Sequence, residues 1–450
     1  MKKEKPLSFF EVFGSAPGGS SASSAKPKVE PTTKSKTEQP IIAAAQVNVQ
    51  VNADDMGIPT QSQCALWESL SIAQTMNGQP ICNADNVLRV IEGLPAWRDA
   101  IWHDDFHLRI FTTMRGGSAK EWADSDTIRT MMLLQRGLGM RRIGKDAVHD
   151  AVTDYALRHT RNELLDWLNS LIWDGVERLE AFLPDCMGTP DDAYARAAGR
   201  NFWVQMVARA YQPGCPAHHV LYLIGAQGVG KSSALATIGG QWYAEAASSV
   251  MDRDFYLALR GKLLIEIAEL AAFKRVEQEM IKAIITRKVD TFRAPYGRDA
   301  QDYPRRCVFA ATTNDDSPFN DPTGARRFWP VQVGAIDLNA IRSMREQYFA
   351  EGVARFKRGE SWHEMPARCT PEVQEQFRRE DAWEHDIRDW LQKAFREQVT
   401  VREIATECLT IGTDKLSQLD QARILAALRV LGWKKKHTRT GNVWVPKDCE

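Results

Sequence analysis

Residues 225–232 read Gly-Ala-Gln-Gly-Val-Gly-Lys-Ser, and no other stretch restricts the fold of this chain so tightly. The spacing G-x-x-x-x-G-K-S belongs to loops that cradle phosphates, where glycines let backbone N–H groups curl around an anion. It is not the G-x-G-x-x-G of dinucleotide folds. Ahead of it, residues 220–224 (Val-Leu-Tyr-Leu-Ile) form a continuous apolar run, as in a strand buried on both faces. Behind it, residues 232–238 suit a helix that Gly239 and Gly240 stop. Such a helix offers its N-terminus, with free N–H groups and a partial positive charge, to the anion. The candidate nucleotide-binding residues are Gly225, Gln227, Gly228, Val229, Gly230, Lys231, Ser232 and Ser233. Lys231 is expected to reach the β- and γ-phosphates of ATP, and Ser232 to hold Mg²⁺.

A phosphate loop serves many chemistries, so the following strands must choose among them. Residues 261–270 (GKLLIEIAEL) read as a second buried strand carrying Glu266 and Glu269. A buried carboxylate needs a cation or a proton, and one at the C-terminal strand end faces the ligand crevice. Glu269 lies nearer that end and suits the positioning of Mg²⁺ and the attacking water; Glu266 is the alternative, or the two share the task. Residues 307–314 (CVFAATTN) form a third strand whose tip, Asn314, is placed to hydrogen-bond the water or the γ-phosphate. Farther on, in DPTGARRFW, Arg326 and Arg327 follow a glycine turn and are candidates for a finger aimed at a neighbouring subunit's γ-phosphate. Between the second and third strands, Pro295-Tyr296-Gly297 has turn chemistry, which predicts a hairpin over residues 287–306 with Arg293, Tyr296 and Arg298 near its tip. Basic side chains outnumber acidic ones there, Lys288 among them. Arginine beside an aromatic ring on a protruding hairpin suits phosphate contacts and base stacking along a single DNA strand. A solvated charged loop is the competing reading.

The motifs GxxxxGKS, LLIEIAEL, EMIKAIITRKVD, FRAPYGR, PRRCVFAATTN and DPTGARRFW, taken in that order, resemble the virulence-associated E family, phage- and island-encoded ATPases related to superfamily 3 replicative helicases. The likeness is close over residues 195–335 and extends more loosely upstream through LLDWLNSLIWDGVERLEAFL. The resemblance implies an AAA+-like core, ring assembly that is usually hexameric, and a hairpin that draws DNA through the central channel. It implies Walker A roles for Lys231 and Ser232, Walker B roles for Glu266 and Glu269, and sensor 1 for Asn314. It further implies a finger at Arg326 or Arg327, and a DNA-facing role for Lys282. Many relatives carry a primase domain, but residues 1–63 are too short and polar for one, so any priming is expected from a separate primase or host replication protein.

Outside the core the pattern changes several times. Residues 14–60 are rich in Gly, Ser, Ala, Pro, Thr, Lys and Gln and are expected to be disordered. The apolar island at 7–13, ahead of them, is a candidate docking peptide within a 1–62 tail. Residues 63–194 read as an all-helical domain, with helix starts at Ser125 or Asp126 and at Asp146, and a break at Gly137 and Gly139. His103 and His107 lie four apart but lack a third ligand in register, so they read as surface or packed histidines. Residues 336–380 suit a helical connector. Residues 381–450 read as helices near 401–409 and 421–431 and then two strands, a winged-helix-like pattern whose wing carries Lys434, Lys435, Lys436 and Arg439 as candidate DNA contacts.

The 58 Lys plus Arg balance 58 Asp plus Glu, which excludes a protein that holds nucleic acid by bulk charge but leaves local patches free. No apolar run is long enough to cross a bilayer. Eight scattered cysteines without a CxxC pair point to reduced thiols in the cytoplasm. The expected architecture is an α/β P-loop NTPase core, AAA+-like and of superfamily 3 helicase type, between an N-terminal all-helical domain and a C-terminal winged-helix-like domain. ATP and Mg²⁺ are the expected cofactors. Single-stranded or forked DNA and further copies of the chain are the expected partners, with no membrane.

Overall fold

The computed structural model describes residues 61–114, 117–246, 253–269, 275–293, 300–318, 327–367, 370–378, 380–393, 396–438 and 441–447. The tail up to residue 60, with its apolar island, lies outside them. The chain divides into two compact units, Met1–Asn169 and Ser170–Glu450.

In the first unit, α1 (Gln61–Ser69) and α2 (Ala84–Gly93) precede three short strands, β1 (Ile101–Asp104), β2 (Arg109–Thr112) and β3 (Lys120–Glu121). Then follow α3 (Asp124–Gly137), α4 (Lys145–Arg158), β4 (Thr160–Arg161) and α5 (Glu163–Ser170). The α2 helix starts where the Asn83 side chain accepts the Asn86 N–H, and it buries Val87, Val90 and Ile91 at three- and four-residue spacing. These pack with Val148, Ala151, Val152 and Tyr155 of α4 in one core. The α3 helix starts at Asp124, where the Asp126 carboxylate accepts the Ala123 N–H. The unit is not all-helical as expected: β1–β4 form a sheet in the order β3-β2-β1-β4. Each strand has only two to four residues, too few to display an alternating pattern. The parallel β1–β4 pair also joins His103 to Thr160 and Asp104 to Arg161, a pairing that local periodicity cannot announce.

The second unit opens with α6 (Phe182–Met187), an element inside the expected 63–194 helical domain, and α7 (Ala193–Tyr211), which straddles the expected boundary at 194. Its sheet strands are β5 (Val220–Ile224), β6 (Tyr243–Glu245), β7 (Leu264–Ile267), β10 (Val308–Thr313) and β11 (Phe328–Gln332), separated by α8 (Lys231–Gly239), α9 (Arg253–Ala258), α10 (Arg275–Thr286) and a hairpin of β8 (Val289–Phe292) and β9 (Gln301–Pro304). The five-stranded sheet has the order β11-β5-β10-β7-β6, and every pair in it is parallel. A parallel sheet is covered on both faces, which is why β5, β7 and β10 are buried at every position. One face packs Tyr222, Ile224, Ile265, Ile267, Phe309 and Phe328 against Ile281, Ile284 and Ile285 of α10. Parallel strands align their C-terminal ends, so the loops after β5, β7 and β10 meet at one edge.

Next comes α11 (Leu338–Lys357), which fastens distant segments of this unit. Its Arg345 donates to the carbonyls of Ile238 and Gly239, placing a cation at the C-terminus of α8. Its buried Glu351 accepts the N–H groups of Arg178 and Leu179 and pairs with Arg355. The unit ends with α12 (Thr370–Gln376), α13 (Ala382–Lys393), α14 (Val401–Glu403), α15 (Gln418–Val430), β12 (Trp433–Thr438) and β13 (Gly441–Pro446). The last two strands form an antiparallel hairpin, and Val399 bridges to Trp444 on its free side. Ile387, Leu391, Ile404, Ile424, Leu428, Trp433 and Trp444 make a separate small core. Among the described residues no helix is long and apolar enough to cross a membrane.

Candidate functional site

The loop after β5 turns through Gly228 at φ 85° and Gly230 at φ 97°, left-handed positions that glycine adopts without the steric cost of a Cβ. Gly230 then begins α8, so the helix N-terminus and the loop amides share one concavity. Gly225 lies so close to Val333 that a Cβ there would stand 3.0 Å from its carbonyl oxygen. Gln227 and Gly228 are exposed, Val229 and Gly230 half-buried, and Ser232 and Ser233 exposed at the first turn of α8.

Lys231 is only 7% exposed. Its ammonium donates to the carbonyls of Gly225 at 2.7 Å and Ala226 at 2.9 Å, and to the Asn314 Oδ1 at 2.8 Å. Burial pushes its pKa down, while Glu269 and Glu266 act in the opposite sense. Asn314, just past the end of β10, uses its Nδ2 to donate to Glu269 Oε1 at 2.8 Å. Glu269 is exposed and follows β7 with φ 49°, a left-handed conformation that non-glycine residues seldom adopt and that often marks functional turns.

Glu266, by contrast, lies within β7 and is fully buried. Its Oε1 accepts from Ser232 Oγ and from Thr312 Oγ1, each at 2.7 Å, and its Oε2 accepts from the Tyr243 hydroxyl at 2.5 Å. The carboxylate brought to Ser232 is therefore that of Glu266, not that of Glu269, which the order of residues along the strand favoured. Strand β7 ends at Ile267, and the turn that follows carries Glu269 toward Asn314 instead. Ser232 Oγ and the Glu266 carboxylate are hard oxygen donors in contact at a helix N-terminus, a donor set that fits Mg²⁺. Thr312 and Tyr243 are members of the site that the sequence reading missed; both sit on strands flanking β7, Thr312 inside the CVFAATTN segment but two residues before the Asn314 that drew attention to it, and Tyr243 outside every motif.

The remaining candidates lie elsewhere. Arg327 directly precedes β11, whose first residue pairs with the first residue of β5, so it stands at the sheet end opposite the phosphate loop, about 17 Å away at ~3.3 Å per residue. Lys282 is on α10, and Lys288 and Arg293 flank β8. The predicted hairpin is present, with Phe292 and Tyr303 stacked in its stem at 4.4 Å between ring centroids. Its base is pinned by Arg305, whose guanidinium grips Asp290 bidentately, while the buried Arg209 of α7 donates to the Arg305 carbonyl. Lys434 and Lys436 share one face of the β12–β13 ribbon, opposite Val445 and Val443; Lys435 is on the other face, opposite Trp444. Tyr296, Arg298, Arg326 and Arg439 lie outside the described residues.

His103 and His107 do not share a helix face, since His103 is in β1 and His107 in the turn after it. His107 instead meets Asp104 and Glu163, whose ligand atoms and its own lie within 4.8 Å of one another. Both Asp104 oxygens already accept backbone N–H groups, from His107 and from Glu163, which is a structural role.

A parallel sheet with this loop on an inner strand, an acid-bearing strand one position removed and an asparagine at the tip of the strand between them defines a P-loop NTPase fold. The sequence profile of the virulence-associated protein E-like domain matches residues 168–382, and that stretch of the chain is such a domain. A search of curated proteins finds no match. Among solved structures, an apo A form of the NrS-1 C-terminal region is 12% identical with a TM-score of 0.42, over 77% of this chain and 96% of that one. A second apo structure of that region is 14% identical with a TM-score of 0.41, over 77% and 95%. A RuvB mutant from Thermotoga maritima is 11% identical with a TM-score of 0.21, over 54% and 90%. These likenesses are distant, and the roles of individual residues rest on the geometry of the chain itself.

Proposed function

We propose that the chain is an ATP-dependent DNA helicase or translocase, AAA+-like and of superfamily 3 type, acting in the replication of a mobile element. The observation that carries this reading is the meeting of Lys231, Ser232, Glu266, Glu269 and Asn314 at the C-terminal edge of one parallel sheet. Lys231 leaves the loop carbonyls for the β- and γ-phosphates of ATP, and the amides around Gly228 and Gly230 cradle them. Ser232 and Glu266 hold Mg²⁺, which when bound neutralises phosphate charge and polarises the γ-phosphoryl group. Glu269, exposed and tied to Asn314, orients the attacking water and accepts its proton, while Asn314 contacts the γ-phosphate.

The far-side location of Arg327, ~17 Å from the phosphate loop of its own subunit, supports a finger acting in trans, on the nucleotide of the next subunit in a ring. The β8–β9 hairpin is fixed at its base by Asp290 and Arg305 and carries Lys288 and Arg293, features that suit a lever gripping one DNA strand. The order α13, Val399, α14, α15, β12–β13 supports a winged-helix reading of the C-terminal part, with Lys434 and Lys436 facing DNA together.

ATP hydrolysis measured with and without single-stranded DNA, beside unwinding of a forked duplex, tests the proposal. The expected result is DNA-stimulated hydrolysis and strand separation, both lost in Lys231→Ala. Hydrolysis indifferent to DNA, with no unwinding, would instead identify an ATP-driven switch.

A further inference from the structure

Glu266 is held by three hydroxyl groups from three different elements, and only one of them belongs to a phosphate-loop motif. Ser232 and Thr312 share Oε1. Tyr243, on the edge strand β6, donates its hydroxyl to Oε2. A fully buried carboxylate with an unmatched oxygen is costly and free to rotate, so the group that satisfies Oε2 also fixes the direction of Oε1. The backbone is built to admit this ring: a Cβ on Gly239, at the end of α8, would stand 2.6 Å from the Tyr243 Cβ.

We propose that Tyr243 is a positioning residue for Glu266, holding Oε2 so that Oε1 stays beside Ser232, where the two together take a divalent cation. This rests on the nucleotide reading above and adds to it the residue that sets the readiness of the cation site. Removing the phenol oxygen leaves the ring packing and the phosphate loop untouched but loosens one partner of a cation ligand, a change that lowers metal affinity by roughly 10–100-fold.

The test is the Mg²⁺ dependence of nucleotide binding, followed with a fluorescent non-hydrolysable ATP analogue on the full chain and on Tyr243→Phe, with Lys231→Ala alongside. In EDTA the analogue should bind parent and Tyr243→Phe within about twofold of each other, because the phosphate contacts are shared. The Mg²⁺ concentration giving half of the Mg²⁺-dependent gain should rise at least about tenfold in Tyr243→Phe, and Mn²⁺, which such sites bind more tightly, should restore most of the gain. An unchanged Mg²⁺ midpoint overturns the inference. So does an equal loss of binding in EDTA, which would mark Tyr243 as a packing residue only. Lys231→Ala binding as tightly as the parent, or a parent that binds no nucleotide, overturns the nucleotide reading itself.

Discussion

Replacing Asp290 by alanine probes the base of the β8–β9 hairpin, and the structure sets the size of the effect. The Arg305 side chain is 1% exposed and that of Asp290 7%, so neither charge is shared with water. Burial lowers the pKa of Arg209 and nearby Arg305 adds to this, while Asp290 opposes it; Asp290 is thus the carboxylate that both buried guanidinium groups feel. Asp290→Ala removes two charge-assisted hydrogen bonds and leaves a buried cation without its partner, a loss of about 3–5 kcal/mol. At about 1.4 kcal/mol per decade, the amides of Val289–Phe292 should exchange with solvent roughly 10²–10⁴ times faster in native-state hydrogen exchange. Amides of β5, in the sheet core, should change far less. The double variant Asp290→Leu/Arg305→Met, apolar at both positions, should recover more than half of the loss, because it leaves no charge buried alone. Protection in the hairpin within about threefold of the parent after Asp290→Ala would refute the argument that this pair holds the hairpin.

Three further outcomes follow from the same geometry. Glu266→Gln should raise the Mg²⁺ requirement of ATP hydrolysis about 10–100-fold, whereas Glu269→Gln should lower kcat about 10²–10⁴-fold with nucleotide affinity kept; the opposite pattern would return the cation to Glu269. His219 stacks on Trp329, and burial first, with His218 and His363 adding to it, pushes its pKa down to about 4. The unfolded chain therefore binds the extra proton, so this contribution is complete above pH ~6.5 and is lost as pH falls toward ~4, about 3 kcal/mol in all. His219→Phe, which keeps the stack, should flatten the acid limb of a urea-denaturation pH series by that amount; an unaltered limb would reject the assignment. Lys434→Ala/Lys436→Ala should reduce the slope of log affinity for duplex DNA against log salt by roughly 1.8, while Lys435→Ala alone changes it by less than half of that. Equal slopes in all three chains would remove the ribbon from the DNA interface.

What was legible in the sequence was what short-range rules encode. The phosphate loop names its own residues, and residues 220–224 read as a buried strand because five consecutive apolar side chains suit few other places. The hairpin followed from Pro295-Tyr296-Gly297, and α11 from its own span of helical pattern. Relations between strands were not legible. Tyr243 and Thr312 reach Glu266 across 23 and 46 residues of chain, each from a strand beside β7; nothing local marks Tyr243, and the motif around Thr312 does not say which carboxylate its hydroxyl meets. The choice between Glu266 and Glu269 depended on where β7 ends and on a left-handed turn, neither of which composition specifies. In the first unit, strands of two to four residues left no alternation to read, and the sheet exists only through pairing at a distance.

Glu351 gives the nucleotide fold a different outer limit from the one its chemistry draws. All the groups that meet at the phosphate loop lie between residues 225 and 314, yet Glu351 binds the N–H groups of residues 178 and 179, and Arg345 closes the end of the helix that begins at Lys231. A fragment trimmed to residues 195–335 keeps every reactive group and loses both fastenings. The span matched by the family profile, 168–382, encloses both ends of each bond. The clamp and the chemistry thus form one folding block, and a fragment meant to keep the phosphate loop in shape has to run from residue 178 through residue 351.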